Sequence, residues 1–252
     1  MAQPIRFAKQ GSTTKLQYSE LSRQPLYILV FLLPFIIFYE FALSSIGNTI
    51  QIKAHDHLVR FFEAFDMPPT QGLWLGGVAI ITIFFLWHIF DGNRWTIKLS
   101  VLFFMTIESI AYAIPLLLFG AVLGGMAVAS NPSPFAELTE FNKIAISIGA
   151  GLYEELVFRM LLIALVHTVI CNLFKQSNLT GLTIGVIASA LLFALYHDMP
   201  STGSLSALTL FFYSVAGVYL GILYICRGFG IAAATHAAYD VVATIMLATL
   251  AE

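Results

Sequence analysis

Seven stretches of the chain stay apolar for long enough to cross a bilayer, with polar connections between them. A hydrocarbon core takes about 20 residues of helix. On that ruler residues 26–46, 73–90, 100–129, 142–173, 181–197, 205–226 and 229–250 are the candidate spans. The third and fourth are longer than a single crossing needs. Pro115 offers a kink or a division of the third, and Gly149 with Gly151 a loosening of the fourth. The pattern predicts an all-α fold, a polytopic transmembrane helix bundle of about seven to eight helices, with six spans plus a surface-lying helix as the variant. Residues 1–25 read as a polar N-terminal segment, 26–140 as the first set of membrane helices, and 141–252 as the helices that carry the chemistry, all within one integral membrane domain. The apolar stretch after residue 25 is too long for the core of a signal peptide, so no cleavage is expected there.

Composition supports this reading and removes one class of function. The chain is 59% hydrophobic and 10% charged, against roughly 25% charged in an average soluble domain. With no basic stripe, nucleic acid is excluded as a partner; the expected partner is the lipid bilayer. Cys171 and Cys226 lie at the ends of apolar stretches with neither metal-site nor disulfide spacing. Small residues four apart, Gly120/Gly124, Gly181/Gly185 and Gly217/Gly221, are expected to let helices approach closely. Orientation follows from the basic residues. Arg6, Lys9, Lys15, Arg23, Arg94, Lys98, Lys175 and Arg227 flank one set of span ends, and the other connections hold only Lys53, Arg60 and Lys143. Eight against three predicts a cytoplasmic N-terminus and an external C-terminus, with the inner membrane as the site in a prokaryotic cell.

Arg159 is the basic residue left inside a span, and it has company. Glu154, Glu155 and Arg159 put three ionisable groups within six residues of membrane helix, which is costly unless they are paired or used. Glu155 and Arg159 are four apart and share a helix face, so each lowers the cost of burying the other. Glu154 points about 100° away and has no such partner in its own segment. A packing motif of paired charges between helices is the structural alternative.

Two later spans each add a histidine. His197 lies near the end of the fifth span, and His236 sits among alanines in the seventh with Asp240 one turn on. An acid so placed can orient the imidazole, or hold a water or a metal beside it. Two glutamates and two histidines on separate helices are the parts of a hydrolytic site. Glu108 is either a second partner for Arg159 or a lining residue of the same cavity. His88 and His167 read as headgroup-facing residues near span ends, and Glu40, His55 and His57 as residues of the first external region without a site pattern.

The sequence Glu-Glu-x-x-x-Arg, then Phe-x-x-x-His, then His-x-x-x-Asp on three successive motif-bearing helices resembles the CAAX-protease and bacteriocin-processing (Abi) family of intramembrane endopeptidases, type II CAAX prenyl endopeptidases among them. The matching residues are Glu154, Glu155 and Arg159; Phe193 and His197; His236 and Asp240, and the resemblance covers residues 141–252. One departure is Asp240, where family members often carry Asn. The resemblance implies that Glu154 activates a water against a peptide carbonyl, with Glu155 and Arg159 in support. His197, His236 and Asp240 would then hold the water, an oxyanion or a Zn²⁺ ion. Both a metalloprotease and a metal-free glutamate mechanism fit these residues. The implied substrate is a prenylated CAAX-type C-terminus, a leader peptide or a membrane protein, the first disfavoured in a bacterial host. A catalytically silent bacteriocin-immunity-type membrane protein and a transporter with a Glu/Arg/His relay are the rival readings.

Depth is the difficulty. Counted from the cytoplasmic side, His197 stands about 24 Å up its span and His236 only about 10–12 Å up its own. For these to meet near Glu154, the fifth span must start deeper, tilt or unwind, or the boundaries must move.

Overall fold

Uniformly apolar stretches satisfy their backbone polar groups in lipid only by coiling into helices. The computed structural model describes residues 17–46, 69–123, 139–198 and 207–251, and among these every regular element is helical. A short α1 (Tyr18–Leu21) leads into α2 (Pro25–Ile46), followed by α3 (Pro69–Asp91) and α4 (Leu99–Val122). Then α5 spans Glu140–Leu173, α6 Asn178–Asp198, α7 Ala207–Arg227 and α8 Phe229–Ala251. Among the described residues, five stretches are long and apolar enough to cross a membrane: Pro25–Leu43, Leu99–Val122, Glu140–Leu173, Asn178–His197 and Ala207–Arg227. Gly76–Asp91 and Phe229–Ile245 are shorter apolar helices. This is the polytopic helical bundle that the pattern of apolar runs predicts.

The overlong spans resolve differently from expectation. Helix α4 runs through Pro115 without dividing, and residues 124–138, with Gly124, lie outside the described part. In α5 the glycines do not loosen the coil, which is α-helical from Glu140 to Glu154; Thr139 caps it by accepting from the Asn142 N–H at 3.3 Å. The coil widens after the glycines instead, into π-helix over Glu155–Leu162 and again over Val169–Leu173. Stretches of this kind occur frequently at functional sites.

Polarity does not decide which face is buried. On α4, Phe103, Ile107, Ile110, Ile114 and Leu118 are exposed, as residues facing lipid are, and Met105, Ser109, Ala113 and Gly120 are buried. Helix α8 is the central element: every residue from Ile231 to Ala237 is buried, six of the seven being alanine, threonine or histidine. Its tightest approach is to α5, where a Cβ on Gly151 would lie 2.6 Å from the Ala233 carbonyl oxygen. The glycine pairs of the later spans act as their spacing predicts. Gly217 approaches Ala190, Gly221 approaches Val186, and Gly181 and Gly185 on α6 approach His167 and Ile163 on α5.

At the end of the bundle that holds Arg227, a polar cluster joins α1, α4 and α7. Arg227 Nη2 donates to Glu108 Oε2 at 2.8 Å, and the Tyr18 hydroxyl donates to the same carboxylate. Glu108 is therefore committed to Arg227 and Tyr18, not to Arg159. Burial, then the hydrogen bond to Glu108, pushes the Tyr18 phenol above its ordinary range. His88 also departs from expectation: it is buried, edge-on to Trp95 with ring centroids 4.4 Å apart, rather than turned to headgroups. Both cysteines are free thiols. His55 and His57 lie outside the described residues.

Candidate active site

The charged motif sits where α5 changes from α- to π-helix. Glu154 closes the α-helical part and Glu155 opens the π-helical part. Arg159 Nη1 lies 2.7 Å from Glu155 Oε1, both side chains fully buried, and the guanidinium stacks over Phe193 of α6 at 4.2 Å. The same Glu155 oxygen accepts from His236 Nδ1 at 2.8 Å. One carboxylate oxygen thus binds the arginine of its own helix and the histidine of α8, an arrangement that offsets the desolvation cost of all three. In the same stretch, Ser189 Oγ of α6 donates to the Phe158 carbonyl at 2.7 Å.

His197 is held by its own helix. Its Nδ1 lies 2.9 Å from the Phe193 carbonyl oxygen, which only accepts, so Nδ1 carries the proton and Nε2 faces away from the helix. That Nε2 stands 3.4 Å from Glu154 Oε2. His236, with Nδ1 engaged by Glu155, turns its own Nε2 toward Glu154 Oε2 at 3.9 Å and Asp240 Oδ2 at 3.3 Å. Glu154 Oε2 is buried and has no aligned hydrogen bond among the described residues. Two imidazoles therefore face a carboxylate oxygen that is not itself saturated, and Asp240 lies against His236 Nε2. All six candidate residues converge, and Phe193 packs against both imidazoles with ring centroids 4.4 and 5.8 Å away.

The depth difficulty is resolved by the last helix rather than the fifth span. Gly230, the second residue of α8, lies against Met105, and Thr235 Oγ1 donates to the Ser109 carbonyl at 3.2 Å. Those contacts fall six and ten residues into α4, so α8 begins about 9 Å above the start of α4. Gly228, at φ +87°, makes the turn that lets α8 start at that height. His236 is thereby lifted to the level of His197.

A cavity of about 190 Å³ adjoins these groups, with His197, His236 and Asp240 in its wall. The rest of the wall is mostly apolar, from Leu116 on α4, Ile146 on α5, and Phe212 and Leu220 on α7. Its residues fall toward the helix ends opposite those carrying Arg94, Lys98, Lys175 and Arg227. Tyr213, also in the wall, stacks on His197 with centroids 4.2 Å apart and planes 21° apart. No motif singles it out, since one tyrosine in an apolar helix carries no local signal. Glu40 was equally silent: it lies buried on α2, not in an external connection, and accepts from Tyr153 at 2.7 Å.

Zinc takes imidazole nitrogen at about 2.0–2.1 Å in tetrahedral geometry. Among the described residues no group of three or more His, Cys, Asp or Glu side chains is placed to hold a metal ion. His197 and His236 turn Nε2 toward the Glu154 oxygen, and Asp240 lies against His236 Nε2.

Fold and site together define a polytopic membrane protein with a buried glutamate–histidine cluster beside an apolar cavity. Residues 139–242 match the family model described as type II CAAX prenyl endopeptidase Rce1-like, a protease family. The match takes in the whole cluster and stops short of α1 to α4. No curated protein and no solved structure matches the chain.

Proposed function

We propose that the protein is an intramembrane endopeptidase in which Glu154 activates a water molecule. The observation that carries this reading is the presentation of Nε2 from both His197 and His236 to Glu154 Oε2, beside a cavity. A water between the carboxylate and the cavity gives its proton to Glu154, and the hydroxide forms the new C–O bond at the scissile carbonyl. His197 and His236, when they carry a proton on Nε2, donate to the developing oxyanion. Collapse breaks the C–N bond, and the proton held by Glu154 passes to the leaving amine. Glu155 and Arg159 keep His236 in register, and Asp240 orients its other nitrogen. The turning of both imidazole Nε2 atoms toward Glu154 Oε2 favours this metal-free route over a zinc site.

The substrate class is a peptide reached from the membrane: a leader peptide, a membrane-protein segment, or a prenylated C-terminus. With a cytoplasmic N-terminus, as the basic residues indicate, the cavity lies in the external half of the bundle.

The test is cleavage of membrane peptides by purified protein in detergent and in liposomes. Wild type cuts, and Glu154→Ala and His236→Ala do not. Cleavage that survives Glu154→Ala removes the assigned base. Peptide or ion transport lost in the same variants, without proteolysis by wild type, replaces the reading with a transporter.

A further inference from the structure

Glu40 is a buried carboxylate that the proposed chemistry does not use, on a helix outside the family match. Its Oε1 accepts from the Tyr153 hydroxyl at 2.7 Å and from the Gly77 N–H at 3.1 Å. Tyr153 is fully buried, with its ring 5.3 Å from that of Tyr39. The Gly76–Gly77 pair of α3 closes the arrangement. A Cβ at position 76 would lie 2.6 Å from Tyr153 Cε1, and one at 77 would lie 2.6 Å from Glu40 Oε1. Two helices of the first half therefore grip α5 through the residue directly before Glu154.

The grip falls at a sensitive point. Glu154 is the last α-helical residue before the coil widens into π-helix. A change of coil form lets the turn rotate about the helix axis, and catalytic groups need holding within about 0.5 Å and 10–20°. Tyr153 and Glu154 diverge by about 100° around the axis, so a hold on one sets the direction of the other without entering the site.

We propose that Glu40 and Tyr153 are positioning residues that hold the α5 turn so that Glu154 Oε2 faces the two imidazoles. The inference rests on Glu154 being the base of the proposed reaction. Its hydrogen-bond geometry requires an acceptor at position 40, and a neutral one suffices.

The experiment uses the full chain in detergent micelles and compares Tyr153→Phe, Glu40→Gln, Glu40→Leu and Glu154→Gln with wild type. Tyr153→Phe and Glu40→Leu are expected to lower kcat by about tenfold per folded molecule with KM within about twofold of wild type, a positioning effect rather than lost binding. Glu40→Gln keeps the acceptor and stays within about threefold of wild-type kcat. If Tyr153→Phe yields no folded protein, the Glu40→Gln and Glu40→Leu pair decides. A second readout needs no substrate: carbodiimide labelling of Glu154, followed by mass spectrometry, is expected to quicken about threefold or more in Tyr153→Phe and Glu40→Leu as the turn loosens. Wild-type kcat in Tyr153→Phe, equal losses in Glu40→Gln and Glu40→Leu, or unchanged labelling overturns the inference. An inactive Glu154→Gln beside a fully active Tyr153→Phe overturns the positioning alone; an active Glu154→Gln overturns the proposed base as well.

Discussion

His236 Nδ1 donates to Glu155 Oε1 across 2.8 Å, on the same oxygen that meets Arg159 Nη1 at 2.7 Å. This joins the middle of α5 to the centre of α8 through one carboxylate with no solvent access. The direction of its other nitrogen, toward Glu154 and Asp240, follows from that contact.

Breaking the ion pair from one side leaves a buried charge. Arg159→Met is expected to cost about 3–5 kcal/mol of stability, because the Glu155 carboxylate then keeps only His236. Pairing it with Glu155→Gln recovers part of the loss. Thermal unfolding in detergent reads both, and equal melting temperatures for the single and double variants would contradict the pairing.

Glu154 should behave in the opposite way. Its Oε2 has no aligned hydrogen bond among the described residues, so Glu154→Gln leaves the fold intact. Cleavage falls by about 10²–10⁴-fold, the range typical for loss of a general base. Steady-state rates together with melting curves check this split between activity and stability.

Gly151 sets the α5–α8 approach. An added Cβ would stand 2.6 Å from the Ala233 carbonyl oxygen and from the Ala237 nitrogen, and backbone cannot step aside as a flexible side chain does. Gly151→Ala is expected to destabilise by about 1–3 kcal/mol and to lower activity by separating His236 from Glu155. A variant of wild-type stability and rate would show that the helices are not so closely set.

At the far end of the bundle the outcome should be purely structural. Glu108→Gln loses the charge that Arg227 and Tyr18 share, and is expected to cost about 1.5–3 kcal/mol. Turnover per folded molecule stays at the wild-type value, since this cluster lies away from the cavity wall. Active-site titration with normalised rates distinguishes the two effects.

Metal removal provides the last check. Exhaustive chelation is expected to leave cleavage intact, with no stoichiometric zinc by elemental analysis, because the donors gather around Glu154 Oε2. Activity lost on chelation and restored by Zn²⁺ would place a metal at the site.

Several parts of this arrangement could be read before any coordinates. The Glu155–Arg159 pair is an i,i+4 relation on one helix and survives the passage into π-helix. The His236–Asp240 pair is equally local, with 3.3 Å between Nε2 and Oδ2. Glu108 and Glu40 show the limit. Each is an acid within an apolar run, but their partners Arg227 and Tyr153 lie 119 and 113 residues away in the chain. His88 looked like an interfacial residue because its position near a helix end says nothing about what packs over it. The height of α8 was hidden too, since it depends on the turn at Gly228 and on contacts with Met105 and Ser109.

The sequence by itself determined that the chain coils into membrane helices, which charges are too costly to leave unpaired, and which segment resembles a protease family. Local spacing and hydropathy carry that information because neither depends on the neighbouring helices. Only the tertiary structure decided that Glu154, His197 and His236 meet at one level, that Glu108 belongs to a separate cluster, and that α2 and α3 grip the residue before Glu154. Helices that are apolar on every side carry no pattern to say which face turns inward, so close packing of small residues such as Gly151 and Ala233 makes that choice.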